Sequence, residues 1–183
     1  MVGVDIPIGL PDCSRRRADE LARAAVGPRR AASVFLTPVR AALAAPDHAE
    51  AVRVNRELAG EGVSIQAYRL RTKILEMELW VRQAPTRAVE VHPEVSFVTM
   101  AGAPTEAGKK SWAGTEQRRR LLAEHDIVVT GDLGTAGAMA AVDDVLDAAA
   151  AAWSARRVAT GSALRLPDPP ETFSDGWPCA VWV

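Results

Sequence analysis

Val2-Gly3-Val4-Asp5-Ile6-Pro7-Ile8 opens the chain, and its reading decides the fold. Val2, Val4, Ile6 and Ile8 are apolar and β-branched, the pattern of a short buried strand. Pro7 and the following Gly9-Leu10-Pro11-Asp12 close it in a turn. Ala88-Val89-Glu90-Val91-His92, bounded by Pro93, reads as another strand. Between them lies a helix over Arg15–Val26, stopped by Gly27-Pro28, and a helical stretch over 38–84 broken at Gly60 and Gly62. Ser33-Val34-Phe35-Leu36 fits either a strand or a tight extended link. Strands joined by a helical crossover run parallel, so the fold class is α/β.

Ser64 is a good N-cap, and Ile65, Tyr68, Thr72, Leu75 and Leu79 recur at helical spacing as a face expected to pack on the core. Thr115–Glu124 forms a short helix, and an Ala-rich helix spans Val142–Thr160 before Gly161. The tail, residues 162–183, is extended through Leu166-Pro167-Asp168-Pro169-Pro170 and ends in a closing edge strand. With 183 residues, one domain is expected. Lys and Arg (22) balance Asp and Glu (23), which excludes bulk attraction to nucleic acid or an anionic membrane. No apolar run approaches the ~20 residues of a membrane span, and the first residues lack the pattern of a signal peptide. Cys13 and Cys179 have no metal-ligand spacing. A cytoplasmic protein with reduced thiols is the expectation.

Ligand sites in parallel sheets lie beyond the carboxyl ends of the strands. Asp5 stands there, and a carboxylate inside an apolar run is costly unless paired, hydrogen-bonded or bound to a cation. Asp143-Asp144-Val145-Leu146-Asp147 puts carboxylates three and four residues apart on one helix. Capping explains Asp143 and Asp144, but not Asp147, one turn further in. Glu90, His92 and Glu94 alternate and would share one side of an extended segment. Such a His serves either as a structural hydrogen-bonding residue or as a ligand, and an oxygen-rich set favours Mg²⁺ or Mn²⁺. Arg29, Arg30, Lys109 and Lys110 follow glycine turns, where they could meet phosphates. Arg118-Arg119-Arg120 reads as a solvated face.

Several segments together resemble a bacterial family of unknown function predicted to be an RNase H-like nuclease. They are Val4-Asp5-Ile6-Pro7-Ile8-Gly9-Leu10-Pro11, Gly27-Pro28-Arg29-Arg30, Val89-Glu90-Val91-His92-Pro93-Glu94, the Lys109-Lys110 turn, Asp143-Asp144-Val145-Leu146-Asp147-Ala148 and the Pro-rich tail. The resemblance implies an RNase H-like mixed sheet with flanking helices, in which 38–84 is a helical insert. In the RuvC-like branch a helix carries two acids three apart followed by Ala, which Asp144, Asp147 and Ala148 match. Asp5 matches the central-sheet carboxylate. The family's first strands have no counterpart before Met1, so the chain reads as N-terminally short, with an exposed sheet edge and a homodimer expected through it.

The expectation is therefore a divalent-metal-dependent nuclease acting on DNA or RNA. Asp5, Asp144 and Asp147 are its catalytic and metal-binding residues, and Glu90 is a further ligand. Arg29, Arg30, Lys109 and Lys110 hold phosphates, and His92, Glu94 and Asp143 are secondary candidates. The alternative is a non-catalytic RNase H-like domain that binds nucleic acid or protein. A phosphate-transferring enzyme of the actin-like ATPase fold lacks its glycine-rich loops here.

Overall fold

The computed structural model describes residues 1–84 and 86–183. Strand β1 (Val2–Val4) pairs in parallel with β2 (Ala88–Glu90), Val4 standing opposite Glu90. The crossover contains α1 (Arg17–Val26), a 3₁₀ turn (Ala31–Ser33), α2 (Arg40–Leu43), α3 (His48–Ala59), α4 (Ile65–Arg69) and α5 (Arg71–Gln83). Then come α6 (Pro93–Ala101), α7 (Trp112–Glu124), α8 (Gly134–Met139) and α9 (Val142–Ala159). The chain ends in an antiparallel hairpin of β3 (Arg165–Thr172) and β4 (Pro178–Trp182), which forms a separate two-stranded sheet. The architecture is thus mixed α/β, dominated by helices around small sheets. None of the helices described is long and apolar enough to cross a membrane.

The opening strand is shorter than the apolar alternation predicts. Ile8 donates its backbone N–H to the Glu90 carboxylate at 2.7 Å instead of to a ladder partner, so the extended run leaves the sheet after Val4. Ser64 caps as its type predicts, its hydroxyl accepting from Ala67 N–H, but the helix breaks at Leu70. That break splits the expected core face: Tyr68 is buried and Leu75 packs on the core as expected, but Ile65, Thr72 and Leu79 are exposed, and Ala67 and Ile74 are buried in their place. Ser33–Leu36 is a 3₁₀ turn followed by an extended link. The proline-rich β3 lacks the donors for a regular ladder, and its register shifts between Leu166 and Glu171.

The main core joins Ala18, Ala22 and Val26 of α1, Val95 of α6, Trp153 of α9 and Cys179, Val181 and Val183 of the C-terminal segment. Inside it lies Arg16, whose side chain is fully buried. Its Nη2 donates to Glu90 Oε2 at 2.6 Å, its Nη1 to Thr37 Oγ1 at 2.9 Å and its Nε to Cys179 Sγ at 3.0 Å. Asp19 Oδ1 lies 3.7 Å from the same guanidinium, and Asp19 Oδ2 accepts from Thr37 N–H. Glu90 was expected to be a metal ligand; it is instead an interior counter-ion, engaged by Arg16 and by Ile8 N–H. Two carboxylates share one cation, so the cluster is neutral only with one proton aboard. Burial pushes Glu90 up to about 7, against the pull of Arg16 and with Asp19 adding to the rise.

A group that binds its proton more tightly folded than unfolded favours folding below its ordinary pKa and loses that contribution as the proton leaves. Stability should therefore fall as pH rises from the ordinary 4.5 to about 7, by up to about 3 kcal/mol, and level off above. Urea denaturation at stepped pH should show this slope, and Glu90→Gln should flatten it. Arg16→Met leaves both acids without their cation and should cost about 3–5 kcal/mol at pH 8.

Candidate functional site

Three elements bring acidic side chains to the carboxyl end of the parallel pair. Asp5 follows β1 directly, and the bond from Val91 N–H to Val4 O (2.8 Å) carries β2 one residue further alongside it. His92 then ends the extended run as the N-cap of α6, because Pro93 fits the first helical turn. Glu94 therefore lies in a helix and not on a strand face with Glu90 and His92, which corrects the expected alternation. The third element, α9, packs on β1 at Gly3, where any side chain would press a Cβ to 2.5 Å from Ala151 O. Asp147 stands one turn before Ala151, so α9 delivers it toward Asp5.

The charges of His92, Asp147, Lys109 and Glu94 all act on Asp5. Although Asp5 reaches solvent, crowding by protein atoms raises its pKa, and Asp147 and Glu94 raise it further while His92 and Lys109 oppose them. Asp147 is also raised, chiefly by burial and by Glu94, against its bond to Lys109 and the charge of Arg118. Lys109 Nζ lies 2.8 Å from Asp147 Oδ2 and 3.8 Å from Asp143 Oδ2. Burial works against the ammonium, but the hydrogen bond and charge of Asp147, helped by Asp143 and Glu94, hold its pKa above the usual value. Glu94, 4% exposed, accepts from the fully buried Arg118 at 2.6 Å, and that guanidinium rests over the Phe97 ring. Three buried atoms of the cluster, His92 Nδ1, Glu94 Oε2 and Asp147 Oδ1, have no hydrogen-bond partner among the described residues.

The other expected residues are elsewhere. Asp144 is exposed, and the carboxylate that shares Lys109 with Asp147 is Asp143, one full turn away. Lys109 neutralises acids, whereas Lys110 is exposed. Arg29 is exposed, and Arg30 bonds the Ala107 carbonyl, which braces the loop that carries Lys109. Arg118 was read as solvated and is the counter-ion of Glu94. The signal lay in spacing: Gly114, Arg118, Leu121 and Leu122 form the buried stripe of α7.

As they stand, no three His, Cys, Asp or Glu side chains among the described residues form a group that could hold a metal ion. The donors nevertheless suit a hard divalent cation in kind, with carboxylates, one imidazole and three unpartnered buried atoms in one cluster. A family model described as a protein of unknown function (DUF429) matches residues 1–172. None of the curated proteins and none of the solved structures compared matches the chain.

Removing one charge from the cluster should register on its neighbour. In a carboxyl-carbon NMR titration, Asp147→Asn should move the Asp5 pKa down toward its ordinary 3.8. His92→Gln should move it further up. An Asp5 titration unchanged by both variants would show that the side chains do not share a pocket.

Proposed function

The chain belongs to the DUF429 family, and we propose that it is a divalent-metal-dependent phosphodiesterase acting on nucleic acid. The observation that carries this reading is the set of buried, unpartnered atoms on His92, Glu94 and Asp147 beside Asp5. Leaving acceptors buried and unpaired costs about 1–3 kcal/mol each, a cost folding tolerates where the atoms serve a ligand. Asp5, Asp147, Glu94 and His92 would hold Mg²⁺ or Mn²⁺, which supplies an activated water and charge neutralisation for an in-line displacement at phosphorus.

In that reaction the protein's own groups have separate tasks. Asp5, open to solvent, would hold the cation where it can still be reached from solution. Arg118 fixes Glu94 through one oxygen and leaves the other for the ligand. Lys109 balances Asp147 and Asp143 until substrate arrives, and then meets a phosphate oxygen. Arg30 positions Lys109 through the Ala107 carbonyl instead of touching phosphate itself. A non-catalytic binding domain is the second reading, favoured by the lack of a formed metal group among the described residues.

Calorimetric titration with Mn²⁺ separates the two. The metal-dependent reading expects heat of binding and a raised melting temperature. Affinity should fall at least about tenfold in Asp147→Asn, and rise in Lys109→Met because a competing cation is gone. Neither heat nor stabilisation in the wild type, together with no cleavage of single-stranded or duplex DNA or RNA, would leave only the binding domain.

A further inference from the structure

Beside the acidic cluster runs a groove of about 760 Å³ between the start of α7, the 129–134 loop and the start of α9. Lys109, which bonds Asp147 of the cluster, and Asp143 also line the groove, so the two sites adjoin at that ammonium. Its apolar wall includes Val129, Leu133 and Val142, two of which are large side chains left exposed. On the rim, Trp112 is 77% exposed, an unusual position for a side chain whose area normally goes to a core or a partner. Trp153 shows the contrast, being 3% exposed in the core.

Charge identifies the occupant. Lys109, Lys110 and Arg119 line the groove against one carboxylate, Asp143, in a chain whose net charge is -1. Lys110 makes no ion pair among the described residues. Arg119 is shared with Glu116 at 3.0 Å and reaches toward Val129 O. An exposed indole beside the unpaired ammonium of Lys110 is the equipment that binds single-stranded nucleic acid without reading its sequence, by stacking bases and tracking phosphates. The volume is that of a small-ligand pocket and takes bases, not a duplex.

We propose that this groove binds an unpaired segment of nucleic acid, with a base stacked on Trp112 and its phosphate on Lys110. The segment then leads to the Asp5–Asp147 cluster; this placement rests on the phosphodiesterase reading. The polymer's specificity would be for unpaired structure and not for base identity, because every base offers a π-face.

The test is fluorescence anisotropy with the full chain and a labelled oligo-dT of about 12 nucleotides, in EDTA so that no metal-dependent cleavage intervenes. Wild type should bind with strong salt dependence. Trp112→Ala should weaken binding about tenfold, Trp112→Phe should restore most of it, and a matching duplex should bind at least about tenfold more weakly. Equal binding by Trp112→Ala, equal binding of duplex, or no binding by wild type overturns the proposal. Trp112-dependent binding without cleavage in Mn²⁺ would sink the phosphodiesterase reading and leave the groove assigned. Cleavage with binding indifferent to Trp112 would do the reverse.

Discussion

A single guanidinium in the protein interior organises the rest of the molecule. Arg16 has no access to water, so each of its donors must find a partner inside, and the partners come from distant parts of the chain. Glu90 comes from the end of β2, Thr37 from the link before α2, Cys179 from β4 and Asp19 from the first turn of α1. Because Glu90 also takes the N–H of Ile8, the same carboxylate decides where the opening strand leaves the sheet. Apolar contacts in the core would tolerate sliding of these segments past one another. Directional bonds to a fixed planar fork do not.

That constraint is what gives the acidic cluster its location. With Glu90 held by Arg16, β2 continues through Val91 to His92 near Asp5. A second buried pair, Arg118 with Glu94, then fixes the first turn of α6 against α7. Gly3 removes the one side chain that would hold α9 away from β1, and so Asp147 arrives one helical turn from the contact. The shared requirement is close approach of backbone to backbone, with charge handled locally on each side.

Elements whose character is local were legible in the sequence. The parallel pairing of β1 with β2 follows from a helical crossover, Ser64 caps as its type demands, and α9 stops just before Gly161. Asp5 and Asp147 could be singled out because each is a charge on an otherwise apolar surface of its element. What the sequence hid depends on partners far along the chain. Glu90 and Glu94 look alike in an alternating run, yet one faces Arg16 and the other Arg118. The choice between Asp143 and Asp144 beside Asp147 is a matter of helix rotation, and Lys109, from a separate loop, decides it. The break at Leu70 left Ile65, Thr72 and Leu79 of a regular apolar stripe facing outward, since a periodicity argument assumes an unbroken axis.

The two kinds of cation in the structure separate permanent charge balance from exchangeable charge balance. Arg16 and Arg118 are fully buried, always protonated, and hold their carboxylates at 2.6 Å. Removing either would strand a charge in the interior, so these pairs are fixed parts of the fold. Lys109 is about one-third exposed and stands on a loop, while its partners Asp143 and Asp147 are only 13% and 15% exposed. Its flexible stem lets the ammonium withdraw without disturbing the helices. The cluster around Asp5 is consequently a place where acids can trade an internal cation for an external one without unseating either buried guanidinium pair.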